Sequence, residues 1–157
     1  MSAQPMRRCA QISGEFVVFL IGMRINRPLR VDRWAPVMAA MPRMLKELQA
    51  HPELGYLHGE SWVGRTTLML QYWRSLDQLM AYAKDRQAAH LPAWKAFNQR
   101  LGRDGAVGIW HETYVVTPGR FESVYVNMPD FGLGRAAACV EVGAGRATAM
   151  ERMKATH

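Results

Sequence analysis

The run Glu15 to Ile25 reads EFVVFLIGMRI, almost continuously apolar and rich in β-branched and aromatic residues. Such a run suits a strand buried on both faces, because a half-exposed strand would alternate apolar with polar side chains. It is too short to span a bilayer, which takes about 18 apolar residues, so no integral membrane insertion is expected. Arg7 and Arg8 precede it in the manner of a signal peptide's charged start. Gly22 interrupts the run, however, no small-residue cleavage site follows, and Arg24, Arg27, Arg30 and Arg33 come next. We therefore expect the first strand of a globular domain rather than a secretory or twin-arginine signal. A strand covered on both sides needs a core around it. A chain of 157 residues, 49% of them apolar and 21% charged, can bury roughly 70% of its unfolded surface without a disulfide or a structural metal.

Downstream, Asp32 is placed to cap a helix whose apolar residues Val37, Met41, Met44, Leu45 and Leu48 form one stripe at helical period. A kink or restart is expected at Pro42 and an end at His51-Pro52. Tyr56 to Val63 and Thr66 to Trp73 read as two strands around a two-residue hairpin at Gly64-Arg65. Ser75 and Gln78 have the spacing of a capping box before a second helix carrying Leu76, Leu79, Met80 and Ala83. Pro92 can open a further short helix with Trp94, Phe97 and Leu101 on one side. Gly105 to Val116 and Phe121 to Met128 read as a final strand pair around the turn Thr117 to Arg120.

The order β-α-β-β-α-(α)-β is the split βαβ, ferredoxin-like arrangement of α+β class, an antiparallel sheet with helices on one face. One helical layer leaves the other sheet face bare, so a homodimer joined sheet to sheet is expected. Residues 1–14 form an N-terminal extension, 15–134 the domain, and 135–157 a tail expected to be loose or draped over the partner subunit. Cys9 and Cys139 match no redox or zinc spacing, which fits a reduced, cytoplasmic protein. The net charge of +7 favours anionic partners. Nucleic acid is not expected among them, because no RNP-like motif or helix-turn-helix accompanies the arginines. No Gly-rich phosphate loop is present.

The segments EFVVFLIGMRINR, AMPRMLKELQAHPELG, TTLMLQYWRSLDQLMAYAKD, AHLPAWKAFNQR, GIWHETY and NMPDFGLG resemble the monooxygenase-like family typified by an enzyme of fumagillin biosynthesis. The resemblance runs from about Phe16 to Gly134. That family is grouped with the dimeric α/β-barrel proteins, which include antibiotic biosynthesis monooxygenases. The resemblance implies a dimeric α/β barrel whose small-molecule pocket lies between sheet and helices. It leaves the chemistry open, since the same fold serves cofactor-free oxygenases, haem-dependent and haem-degrading enzymes, and plain binding modules.

Alternation along GIWHETY puts Ile109, His111 and Thr113 on one strand face and Trp110, Glu112 and Tyr114 on the other. Facing a pocket, His111 can act as a base, bind a carbonyl or ligate iron; otherwise it is a hydrogen-bonded core or rim residue. His90, beside Pro92, Trp94 and Phe97, suits an axial haem ligand or a helix-start residue. His58 shares a row with Tyr56, Glu60 and Trp62, at a cleft or a dimer edge. Trp62, Trp73, Trp110, Tyr72, Tyr114 and Tyr125 offer rings to a flat aromatic substrate, or simply fill a core.

The leading expectation is a cofactor-independent monooxygenase-like oxidoreductase acting on an aromatic or polyketide-like molecule. His111 or Glu112 would take the proton, and Asn127 or a Trp N–H would hold the oxyanion. The alternative is a haem-binding enzyme of the same fold with His90 or His111 as the proximal ligand, or a module that binds its ligand without turnover. No mononuclear zinc site is expected, for want of further ligands at metal spacing. The arginines at 24, 27, 30 and 33 are either solvated or placed for an anionic ligand. The methionines read mainly as gap-fillers.

Overall fold

The computed structural model describes residues 6–85 and 104–156. Strand β1 (Arg7–Gln11) comes first, then β2 (Phe16–Ile25), α1 (Val31–Ala50), β3 (Tyr56–Trp62), β4 (Leu68–Trp73), α2 (Leu76–Lys84) and β5 (Val107–Val116). After these follow β6 (Tyr125–Val126), α3 (Leu133–Ala136), β7 (Ala138–Glu141) and α4 (Ala149–Lys154). Four strands form an antiparallel sheet in the order β3-β4-β2-β5, the ferredoxin-like order expected from the sequence. Among the described residues no helix is long and apolar enough to cross a membrane.

The apolar run becomes the central strand β2, paired with β5 along its whole length from Phe16↔Val116 to Ile25↔Val107 and with β4 on its other edge. Its odd-numbered residues face the helices. Val17 packs with Leu48 of α1, Trp73 of β4, and Leu79 and Tyr82 of α2. Met23 packs with Val107 beneath Trp34, Val37 and Met38 of α1. Phe16, Val17, Leu48 and Trp73 are each at most 1% exposed, and burial of such a side chain contributes about 1.5–3 kcal/mol. Tyr82 ties the two helices together by donating its hydroxyl to Glu47 at 2.9 Å.

The second face of the sheet is not bare at the Phe16 end, which corrects one premise of the sequence reading. Strands β6, β1 and β7 form a second, three-stranded sheet. With Leu133 it buries Ala10 and Ile12 against Phe16 and Tyr72 of the main sheet. Phe16 meets Phe121 edge-on, with ring centroids 4.9 Å apart. The N-terminal extension thus contributes strand β1, and the tail from Arg135 is not loose: β7 pairs with β1 from Arg8↔Glu141 to Gln11↔Ala138. Helix α4 opens on a full capping box between Thr148 and Glu151. It docks through buried Arg152, which donates to Glu122 at 2.8 Å and to the carbonyls of Arg146 and Ala147.

Several local expectations shift. Asp32 lies in the first turn of α1 instead of at its cap, held by Arg30 and Arg33. The helix runs through Pro36 and Pro42 without a break and ends at Ala50. The connection between β3 and β4 is the longer loop 63–67, because Thr66 and Thr67 leave the hairpin to pair with Arg24 and Met23 of β2. Phe121 to Met128 does not pair with β5; only Tyr125–Val126 is strand, and it joins β1. The turn at Thr117 to Arg120 forms as expected, closed by Arg120 N–H on the Thr117 carbonyl at 3.1 Å. Ser75 caps α2, its oxygen accepting from Gln78 N–H at 3.2 Å; the Gln78 side chain reaches back through Oε1, which accepts the Ser75 hydroxyl at 3.1 Å, and donates through Nε2 to the Glu53 carbonyl at 3.2 Å.

Gly22 marks the tightest point. A Cβ there would strike the Thr67 carbonyl and lie 2.7 Å from Trp110 Nε1. The Gly22→Ala substitution should therefore cost about 3 kcal/mol, a fall of roughly 10 °C in Tm by calorimetry. Gly14→Ala, which meets nothing within 4 Å but has φ of +75°, should cost only about 1 kcal/mol. Equal melting temperatures for the two variants would contradict this account of the β2 and loop contact.

Candidate functional site

Between α1 and the sheet lies a cavity of about 360 Å³, within the size range of small-molecule sites. Helix α1 supplies Val37, Met38, Met41, Met44 and Leu45 as one wall, and Ile21, Met23, Met69 and Ile109 form the floor on β2, β4 and β5. These are the side chains that the stripe of α1 and the alternation of the strands turn toward each other. The rim consists of exposed residues, Pro42 on the helix and Ser61, Trp62 and Val63 on the edge strand and its loop. The only hydroxyls on the described lining are those of Ser61 and Thr67, and no described lining residue is ionisable. The Thr67 hydroxyl is occupied by Met23 N–H at 2.9 Å.

His111 stands at the edge of this floor. It lies on the helix-facing side of β5, directly opposite Ile21 and two residues from Ile109, both of which line the cavity. Its ring lies 5.9 Å from that of Phe19 at an interplanar angle of 46°. The imidazole itself is exposed and outside the lining. Glu112 points to the other face and accepts the Tyr114 hydroxyl at 2.7 Å. Trp110 shares that face, its Nε1–H buried over Gly22 with no hydrogen-bond partner among the described residues.

The remaining sequence candidates separate. Trp73 is in the core, its N–H donated to Gln71 at 2.9 Å, and Gln71 in turn reaches the Met69 sulfur. Tyr125 lies under the terminal sheet and accepts Gly134 N–H at 2.9 Å. Asn127 follows it on the surface at a positive φ of 54°. Neither lines the cavity. His90 and Trp94, with the helix expected after Pro92, lie outside the described residues. The arginine series is largely structural: Arg24 donates to Thr66 at 2.7 Å, and Arg30 and Arg33 share Asp32 and Asp104.

A second polar cluster forms on the opposite sheet face, where a bulge between Tyr56 and His58 breaks the expected row. Tyr56 turns to the helix side and stacks edge-on with Trp73, while His58 and Glu60 stay behind with Tyr72. His58 Nε2 meets Glu60 Oε1 at 3.0 Å, and Gly132 N–H reaches the same oxygen at 3.4 Å. Burial pushes the Tyr72 hydroxyl up to about 12. Burial also presses Glu60 upward, but the His58 hydrogen bond, Gly132 N–H and the charges of His58 and Arg135 outweigh it and hold the carboxyl below 4.5.

The stability that Glu60 contributes is therefore fully present above pH 4.5 and lost as pH falls through its lower folded value. Glu60→Gln should flatten the loss of unfolding free energy between about pH 5 and pH 3, a window that extends about one unit either side of ordinary carboxylate values. Urea melts at stepped pH read this directly, and superimposable acid limbs for the two proteins would contradict it.

Comparison with known proteins places this chain in a family. The family model described as Monooxygenase af470-like matches residues 16–133. Monooxygenase af470 of Aspergillus fumigatus is 32% identical over 133 residues, which cover 78% of this chain and 46% of that relative. The chain thus spans about half the length of the relative. Among solved structures, SnoaB, a cofactor-independent oxygenase from Streptomyces nogalater, is similar at a TM-score of 0.46 and 12% identity, over 64% of this chain and 91% of its own. A conserved protein from Methanosarcina mazei Go1 gives a TM-score of 0.46 and 11% identity, over 63% of this chain and 91% of its own. From the first residue of β2 to the first residue of α3, the chain belongs to the monooxygenase af470-like family.

Proposed function

We propose that this chain is a cofactor-independent monooxygenase that binds an aromatic or polyketide-like molecule in the cavity between α1 and the sheet. The observation that carries the reading is the cavity itself: a space of about 360 Å³ with apolar walls and one imidazole at the margin of its floor. Direct reaction of an organic anion with O2 needs such a place. His111 would take a proton from an acidic C–H or O–H of the substrate, and the apolar walls would keep water from returning one. The resulting anion passes an electron to O2, the two radicals recombine as a peroxide anion that takes the proton back from His111, and loss of water from the hydroperoxide leaves one oxygen atom in the product. Glu112 faces away from the cavity, so of these two neighbours the base is assigned to His111.

Haem needs an axial ligand over its iron. The described lining offers thioethers but no imidazole or thiolate, and His90 lies outside the described residues. The donor set on the described walls does not favour haem.

The proposed assembly is a homodimer. Away from the terminal sheet, the second face of the main sheet leaves Tyr114 51% exposed, and a second copy would cover it. Light scattering should give a mass near twice 17.8 kDa; a value at 17.8 kDa would contradict the dimer.

The catalytic reading is tested by O2 uptake with a hydroxyanthrone, using protein freed of flavin, metal and nicotinamide. Uptake is expected with the unaltered protein, and His111→Ala should slow it by about 10²-fold, the usual scale of general base catalysis. Turnover unchanged in that variant would remove His111 from the mechanism. No uptake by the unaltered protein would overturn the proposal.

A further inference from the structure

Met23, Met38, Met41, Met44 and Met69 all line the cavity between α1 and the sheet. Gap-filling explains a methionine in a packed core, but these side chains border open space, and only the Met69 sulfur has a described hydrogen bond, accepted from the Gln71 amide at 2.9 Å. Met23 and Met69 are each only 4% exposed, so dissolved oxidants in bulk water reach them poorly. Met6, Met80, Met128 and Met150, between 44% and 62% exposed, are where such oxidants should act first. A thioether is a soft nucleophile whose characteristic reaction is attack on a peroxide oxygen.

We propose that the cavity binds apolar organic hydroperoxides and that its methionines accept their outer oxygen. In this step the sulfur lone pair attacks the terminal oxygen of R–O–O–H. The O–O bond breaks, an S–O bond forms, and the proton passes from the transferred oxygen to the departing alkoxide. The products are methionine sulfoxide and the alcohol R–OH; sulfur is oxidised by two electrons and the peroxide reduced by two. The inference rests on the proposed oxygenation only for the source of the hydroperoxide inside the cell. A hydroperoxide that has not lost water would be consumed where it forms. Each sulfoxide would place a polar group in apolar walls and weaken the next binding event. The site would thus record and limit its own leakage.

The probe is cumene hydroperoxide, an apolar aromatic hydroperoxide, compared with hydrogen peroxide on the whole chain. Oxidation of each methionine is followed by peptide mass spectrometry. With cumene hydroperoxide, the cavity methionines, Met23 and Met69 included, should gain oxygen faster than Met6 and Met150, by on the order of ten-fold. With hydrogen peroxide the order should reverse. Cumene, which fits the same space but carries no peroxide, should protect the cavity methionines and leave the exposed ones unchanged. Replacing Met38, Met41 and Met44 together by Leu, a nearly volume-conserving change, should lower the cumyl alcohol formed per protein. Oxidation that follows exposure with both reagents, or that cumene does not slow, overturns the inference. Failure of the hydroxyanthrone to drive O2 uptake bears on the oxygenase reading alone, because the supplied hydroperoxide does not depend on turnover.

Discussion

The central strand β2 is held on four sides. Its edges carry ladders to β4 and β5, and its faces are buried under α1 and α2 on one side and under the terminal sheet on the other. Fixing both edges sets the register of β5, and the register decides where His111 stands. A slip by one residue would turn His111 to the second face and bring Glu112 to the cavity side. The long β2 and β5 pairing, from Phe16↔Val116 to Ile25↔Val107, is what excludes that slip.

The same strand shapes the cavity. At Gly22 the absence of a side chain lets the Thr67 backbone approach, and Thr67 then closes one end of the space through its hydrogen bonds to Met23. Along the helix, residues at the α1 positions facing the sheet are long and unbranched near the middle, Met38, Met41 and Met44, whereas Leu48 near the end seals the core completely. The result is a helix that packs tightly at its C-terminal part and stands off the sheet at its centre. Function and stability are thereby divided along one element.

Much of this was legible in the amino-acid sequence, for physical reasons. The apolar run of β2, the stripe of α1 and the Ser75 cap are local signals, and each formed where expected. The face of His111 followed from strand alternation alone. What was not legible depends on contacts distant in sequence. Arg7–Gln11 and Ala138–Glu141 carry no strand pattern of their own and become strands because each satisfies the other's backbone. The bulge that removes Tyr56 from the row of His58 and Glu60 is set by packing against Trp73. Trp73 and Tyr125 looked like ligand contacts because rings suit both cores and pockets, and only burial distinguishes the two uses. Gathering five methionines around one cavity required the fold, since Met23 and Met69 lie on β2 and β4, opposite the helix that carries the other three.

The central claim is that the space between α1 and the sheet is where the ligand sits. Methyl-labelled methionine provides a reporter on every part of the molecule, so a titration with a non-reactive aromatic hydrocarbon followed by methyl NMR tests it most directly. The account predicts shifts at Met23, Met38, Met41, Met44 and Met69, with Met6, Met80 and Met150 unmoved. Saturable binding that leaves the cavity methyls unchanged would place the ligand elsewhere and contradict the account.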